Sequence, residues 1–245
     1  MYAGIEVDMF SLGNADCILV SFWNGFSVYR VLIDGGNKSD SAIVREFLRS
    51  QKIDRIDDLL STHHHDDHSG GLLGLLADET LKFGKVWSHV PHWHVESVDK
   101  VRAAIKAAGS SSEAANIQKS LQTAAEIFNI AKKRGIAHEE PFKGKKLGGL
   151  LEVCGPTVEF YEDLVLEFTD ADKIRAEDAA QERYETQTQL EETIAKAILG
   201  DSDSDSSSLL AEPHTAPENE SSVVTGANHQ GKIYLFTART LALVH

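Results

Sequence analysis

Ile56-Asp57-Asp58-Leu59-Leu60-Ser61-Thr62-His63-His64-His65-Asp66-Asp67-His68-Ser69-Gly70-Gly71 is the stretch that decides the fold. An apolar run of strand length, Ile56–Ser61, leads directly into alternating imidazoles and carboxylates. Imidazole nitrogen and carboxylate oxygen are good donors to zinc and similar ions. A chain leaving a sheet edge can turn over it, so that adjacent side chains converge. On this reading His63 and His65 hold one ion, while Asp67 and His68 hold a second. His64 and Asp66 are spacers, with a supporting place behind the ligands as the alternative for Asp66. Ser69-Gly70-Gly71 supplies freedom for a tight turn into a helix over Gly70–Leu76. An expression tag would lie at a terminus and would not interleave aspartates.

Outward from this stretch, the first third of the chain reads as strands at Ile5–Leu12, Cys17–Trp23 and Ser27–Ile33. Asn24-Gly25 is a hairpin signal between the last two. Ile43, Val44, Phe47 and Leu48 share one face of a helix over Ser41–Lys52. Further on, Val86–His89 reads as a strand, Ser97–Ala108 as a helix and Ser110–Arg134 as an amphipathic helix. Gly148–Cys154 reads as a strand. Asp172–Leu199 is a charged helical segment, and Gly200–Ser208 is acidic and of low complexity, the composition of a mobile loop. Strand pattern returns at Ser221–Thr225 and Lys232–Thr237. The order favours one domain over 1–245, with an insertion around 170–217.

Bulk properties bound the function. The chain has 245 residues, enough for a sizeable core, and a formal net charge of −14. That charge opposes general coating of a phosphate backbone. Cys17 and Cys154 are the two cysteines, both in apolar runs, and read as buried thiols rather than a disulfide framework. Met1–Asp8 lacks the basic and apolar regions of a leader, and no run approaches the roughly 18–20 apolar residues of a membrane span. The expectation is a soluble cytoplasmic protein without a membrane partner.

The spacing His63-x-His65-x-Asp67-His68 after a strand resembles the signature of the metallo-β-lactamase superfamily. Other segments agree in order. Gly13-Asn14-Ala15-Asp16 is similar to the family's opening Gly-x-x-Asp turn, and Val31-Leu32-Ile33-Asp34-Gly35-Gly36 to its second strand with a buried aspartate. Leu151–Pro156 resembles a later strand ending in Gly-Pro. Asn219–Val224 and Gly231–Thr237 resemble two late strands of the branch that includes the C-terminal domain of DNA-internalisation competence proteins. The resemblance implies an α/β fold, a four-layer αββα sandwich with the metals at one edge. It implies two zinc ions, with manganese or iron as alternatives, and a supporting role for Asp34 behind a ligand histidine. Asp16 reads equally as a turn cap. Asn219 and Ser221 either line the site or are ordinary strand residues. His89, His92 and His94 are candidates for the rim, and His138, His214 and His229 for the surface.

The pattern breaks at the end. The family strand is followed by Gly-Asp or Ala-Asp, whose aspartate bridges the metals, and later by Pro-His-His-Gly-Ser. Here Thr237-Ala238-Arg239 follows, and the sequence stops at His245. Truncation or a frameshift is the favoured reading, with the last fold elements missing; a degenerate paralogue is the alternative. The implied function is a metallohydrolase. Two ions roughly 3.5–4 Å apart would activate a shared water, with Asp67 as the catalytic carboxylate. The substrate is a small molecule or nucleic acid, with a phosphodiester favoured and an ester, thioester or lactam as the alternative. A third reading is a catalytically impaired module that binds a metal or a partner protein, the latter through the 172–199 helix.

Overall fold

The computed structural model describes residues 3–94, 112–167, 221–230, 232–237 and 241–244. The first sheet runs in the order β1 (Gly4–Met9), β2 (Ile18–Trp23), β3 (Val28–Ile33), β4 (Arg55–Leu60), β5 (Lys82–Trp87) and β6 (Ala137–Glu139). β1, β2 and β3 are antiparallel, and β3 to β6 are parallel. The β2–β3 hairpin closes at Asn24-Gly25. Gly25 takes φ 90°, and the Asn24 side chain accepts from the Phe26 and Ser27 amides. Parallel neighbours need long crossovers, which α1 (Ser41–Ser50), α2 (Asp66–Ala77) and α3 (Ser112–Lys133) supply. The second sheet runs β11 (Leu241–Val244), β10 (Lys232–Phe236), β9 (Val224–His229), β8 (Leu151–Gly155) and β7 (Lys146–Leu147), all antiparallel.

Period-two alternation sorts the first sheet's side chains into two cores. Leu19 and Leu32 face the helices, where they meet Val44 and Leu48 of α1, Leu72, Leu75 and Leu76 of α2, and Ile127 and Ala131 of α3. Their neighbours Ile18, Val20, Phe22, Val31 and Ile33 face the second sheet. They pack on Leu147, Leu151, Val153, Val223, Ala227 and Phe236. The described residues thus form three of the expected layers: helices, sheet, sheet. A buried polar contact lies within the first sheet. The Tyr29 hydroxyl and the Trp87 indole nitrogen donate to Asp58, at 2.5 and 2.9 Å. Burial raises the Asp58 pKa, and these hydrogen bonds oppose the rise without cancelling it.

Several boundaries differ from expectation. α2 starts at Asp66, inside the histidine motif, not at Gly70. His65 takes the extended N-cap conformation, and its carbonyl accepts from the His68 and Ser69 amides at 3.1 and 2.8 Å. Two acids in the first turn suit the positive end of the helix dipole. Gly70 and Gly71 therefore sit in the helix and make no turn. Their role is close approach: a Cβ on Gly71 would stand 1.8 Å from the Gly35 carbonyl oxygen, and one on Gly70 2.9 Å from the Lys38 nitrogen. The late strand is Val224–His229 rather than Ser221–Thr225; Gly226, a poor strand former, sits mid-strand opposite Leu235 and Glu152. β6, β7 and α4 (Val158–Glu167) were not anticipated, β6 and β7 being too short to carry a period. Cys17 is buried as expected, but Cys154 is exposed on the outward face of β8, beside buried Val153. After Thr237, β11 extends the sheet by pairing with β10. The Ser97–Ala108 and Asp172–Leu199 helices and the 200–208 stretch lie outside the described residues. Among the described residues no helix is long and apolar enough to cross a membrane.

The Gly71 contact yields the first expectation. Gly71→Ala should lower the free energy of unfolding by about 2 kcal/mol or more, because the clash is with rigid backbone. Gly4→Ala, with nothing within 4 Å of the added methyl, should change it by less than about 0.5 kcal/mol. Urea unfolding of both variants checks this; equal midpoints would refute the packing account.

Candidate functional site

The site is assembled where β3 and β4 end and α2 begins. β3 runs into Asp34, which is 1% exposed and holds φ 57°, a left-handed conformation costly for any residue with a side chain. Hydrogen bonds hold it there. The Thr62 amide donates to Oδ1 at 2.8 Å, and the Thr62 hydroxyl donates to Oδ2 at 2.6 Å. His68 Nδ1 lies 3.0 Å from Oδ2. The backbone reinforces the contact, with the Asp34 amide donating to Leu60 and the Gly35 amide to His68 at 2.8 and 2.7 Å. Asp34 thus ties the ends of β3 and β4 to the first turn of α2.

The histidine stretch folds over this anchor. His63 and His68 are buried, with ring centroids 4.1 Å apart, while His65 is half-buried with its ring 4.9 Å from His63. Ser69 and Ser61 donate through their hydroxyls to the His63 carbonyl, which pins the backbone between the two outer histidines. Since Nδ1 of His68 faces Asp34, Nε2 is the outward nitrogen. It has no hydrogen-bond partner among the described residues. It points to Asp16 Oδ2 at 3.6 Å and Asp67 Oδ2 at 3.7 Å. Burial works to lower the His68 pKa, but the Asp34 hydrogen bond and the charges of Asp34, Asp67 and Asp16 outweigh it, and the pKa is raised.

Of the expected residues, His63, His65, Asp67, His68 and Asp34 are brought together. Ser221 is 3% exposed, and the Val223 amide donates to the Thr62 carbonyl at 3.0 Å, which brings this segment beside the histidine stretch. Asn219 lies outside the described residues. Thr62 was missed, although its place directly before the motif and its two-donor chemistry were readable. As the side chains stand, no three histidine, cysteine, aspartate or glutamate side chains among the described residues converge tightly enough to enclose an ion. The donor types nevertheless fit one: a fully buried imidazole presents an unpartnered nitrogen to two carboxylates.

A second group of histidines lies on the other side of the motif. His64 and His89 are 6% and 1% exposed, and none of their ring nitrogens has a hydrogen-bond partner among the described residues. His89 stacks on Tyr161 with centroids 4.2 Å apart, so it is a core residue and not part of a rim. Burial, then His65, lowers the His64 pKa to about 3. Burial, then His64, His94 and His138, holds the His89 pKa well below its ordinary value. A neutral His89 makes no ion pair with Glu140, 4.0 Å away. His94 does engage carboxylates, with its two ring nitrogens 3.0 Å from Glu140 and 3.1 Å from Glu162. His138, expected at the surface, is half-buried against the Ser88 hydroxyl at 3.0 Å. The His92 side chain and His214 lie outside the described residues.

Comparison with known proteins gives one family. The family model described as "Metallo-beta-lactamase superfamily" matches residues 28–162, a span that contains Asp34 and the whole histidine motif. No curated protein matches. Among solved structures, a Thermotoga maritima chain described as a candidate metallo-beta-lactamase matches at 17% identity with a TM-score of 0.35. The match covers 61% of this chain and 65% of that one, under two thirds of its length.

The buried neutral histidines set a pH dependence. Below about pH 6.5, an unfolded His89 binds a proton that the folded one refuses. Stability is therefore lost as pH falls from about 6.5 towards the depressed folded pKa. His89→Leu removes that proton and should flatten the loss by up to about 1.4 kcal/mol per pH unit. Urea midpoints of both metal-stripped proteins from pH 7 to pH 4.5 measure this, and parallel slopes would count against a buried neutral His89.

Proposed function

This chain belongs to the metallo-β-lactamase superfamily, whose members are typically metallohydrolases that use divalent metals, often zinc, and we propose that it is a hydrolase acting through a metal-activated water, with a phosphodiester as substrate. The observation that carries the reading is His68, fixed through Nδ1 by Asp34 and presenting Nε2 towards Asp67 and Asp16. His63 and His65 would hold one ion, and Asp67 and His68 a second. Divalent cations bound there would polarise the scissile group and lower the pKa of a water, making it a nucleophile near neutral pH.

The chain's own residues do the rest. Asp34 accepts the Nδ1 proton of His68 and so leaves Nε2 as the donor atom. Thr62 satisfies both Asp34 oxygens and prevents the carboxylate from turning away. Asp67, in the first turn of α2, would hold the second ion and help orient the attacking hydroxide. The phosphodiester preference rests on the likeness of Asn219–Val224 and Gly231–Thr237 to the competence-protein branch, where Asn219 and Ser221 would line the substrate side. The net charge of −14 opposes an anionic substrate, and bound cations offset it locally.

A specific observation favours a second reading, a metal- or partner-binding module of weak activity. Arg239 stands where the family places its bridging carboxylate, and among the described residues no three donors converge as they stand. Metal content of the purified chain, with assays on bis(p-nitrophenyl) phosphate, p-nitrophenyl acetate and a chromogenic cephalosporin, separates the readings. Two zinc ions per chain with phosphodiester turnover supports the proposal. Ester or lactam turnover alone reassigns the substrate, and one weakly held ion with no turnover sinks the hydrolase reading. Asp34→Asn keeps the shape and tolerates a left-handed backbone. It should weaken zinc affinity by about 10- to 100-fold, measured by competition with a chromogenic chelator; unchanged affinity would remove Asp34 from the site.

A further inference from the structure

Asp16 precedes β2, far from the histidine stretch in sequence, yet the fold locks it against that stretch. Its amide donates to the Asp67 carbonyl at 3.1 Å, and its carbonyl accepts from the Gly36 amide at 2.9 Å. Its backbone is thus bonded both to the first turn of α2 and to the turn after Asp34. Its side-chain Oδ2 faces His68 Nε2 at 3.6 Å. Asp67 Oδ2 faces the same nitrogen at 3.7 Å.

These separations have a chemical meaning. They are too long for hydrogen bonds. Two donor atoms bound tetrahedrally to one zinc ion, at about 2.1 Å each, stand about 3.4 Å apart. The His68 side chain is 0% exposed and anchored by Asp34, whereas the Asp16 and Asp67 side chains are 31% and 28% exposed. The carboxylates can therefore swing by tenths of an ångström while the imidazole stays. Two carboxylates converging on one buried, unpartnered nitrogen is an arrangement that a cation completes.

We propose that Asp16 is a third protein ligand, closing with Asp67 and His68 the shell of the second divalent cation. This rests on the reading that Asp67 and His68 hold an ion. It gives that ion a carboxylate from the β1–β2 connection, independent of the residues after Thr237. A turn cap would stabilise the protein whether or not metal is present; a ligand acts through the metal.

The test uses the full chain stripped with a chelator and titrated with cobalt(II), followed by its visible absorption bands, and with zinc(II) in competition with a chromogenic chelator. The wild-type chain should take up two ions. Asp16→Asn should retain one at unchanged affinity and bind the second at least about tenfold more weakly, with altered cobalt bands. Its metal-free melting temperature should match wild type. Two ions at wild-type affinity with unchanged bands in Asp16→Asn overturn the inference alone. A wild-type chain that takes up no second ion overturns the two-ion reading and the inference together. If metal-free Asp16→Asn does not fold, Asp16→Glu, which keeps the charge and displaces the carboxylate, carries the test. Changed cobalt bands at the second site then support the assignment, and unchanged bands overturn it.

Discussion

Asp34 is a buried carboxylate in a left-handed backbone conformation, and the geometry of the functional region depends on how that cost is met. Its oxygens face the Thr62 amide, the Thr62 hydroxyl and His68 Nδ1, three partners from a single stretch of chain. A buried charge without partners would be costly. With these partners it couples the end of β3 to the end of β4 and to α2, so the sheet edge and the first helical turn form one unit. Gly35, Gly36 and Gly71 allow the approach, with Gly71 donating to the Gly36 carbonyl at 2.8 Å. A larger residue at Gly71 would push α2 off the turn and carry His68 with it.

The two sides of the histidine stretch differ in chemistry because the chain passes through it half extended and half helical. His65 is the last extended residue; Asp66 opens α2. Side chains before that point alternate across the strand end, while those after it follow the helix. His63 and His68 therefore meet on the side that carries Asp34, Asp16 and Asp67. His64 turns instead into a protein interior that includes His89 and Tyr161. The first side is rich in carboxylate and keeps an outward imidazole nitrogen. The second is desolvated, and its histidines stay neutral far below their ordinary range. Motif residues one position apart thus face opposite ways, one set towards the carboxylates of Asp34, Asp16 and Asp67 and the other packed as core.

Much of the fold was legible because period-two and period-3.6 patterns report burial directly. The strands β2, β3 and β4 and the helices α1 and α3 came within a few residues of their observed bounds. What failed has identifiable causes. The start of α2 was misplaced because three histidines and two aspartates look like a loop until the helix dipole and the His65 carbonyl are considered. Gly70 and Gly71 were read as turn residues, because sequence cannot separate a glycine needed for its backbone from one needed for its missing Cβ. Cys154 is exposed although it lies in an apolar run, because such a run does not say which of its alternate faces meets water. The strand reading of Val86–His89 leaves a rim place for His89 open, because a strand end does not say whether its last side chain meets water or core.

The sequence by itself determined the superfamily, the strands and helices of the first half up to the histidine motif, and most of the residues gathered at the site. Local spacing encodes those, and spacing survives without coordinates. Only the tertiary structure decided what each residue faces. Asp16, ambiguous as a turn residue, lies beside His68 because β1 and β2 pair across it and because Asp67 and Gly36 bond its backbone. Thr62 became the support of Asp34 through a contact across 28 residues. His64 became a core residue through His89, which follows the next strand. Such contacts join residues distant in sequence, and no local pattern carries their distance or direction.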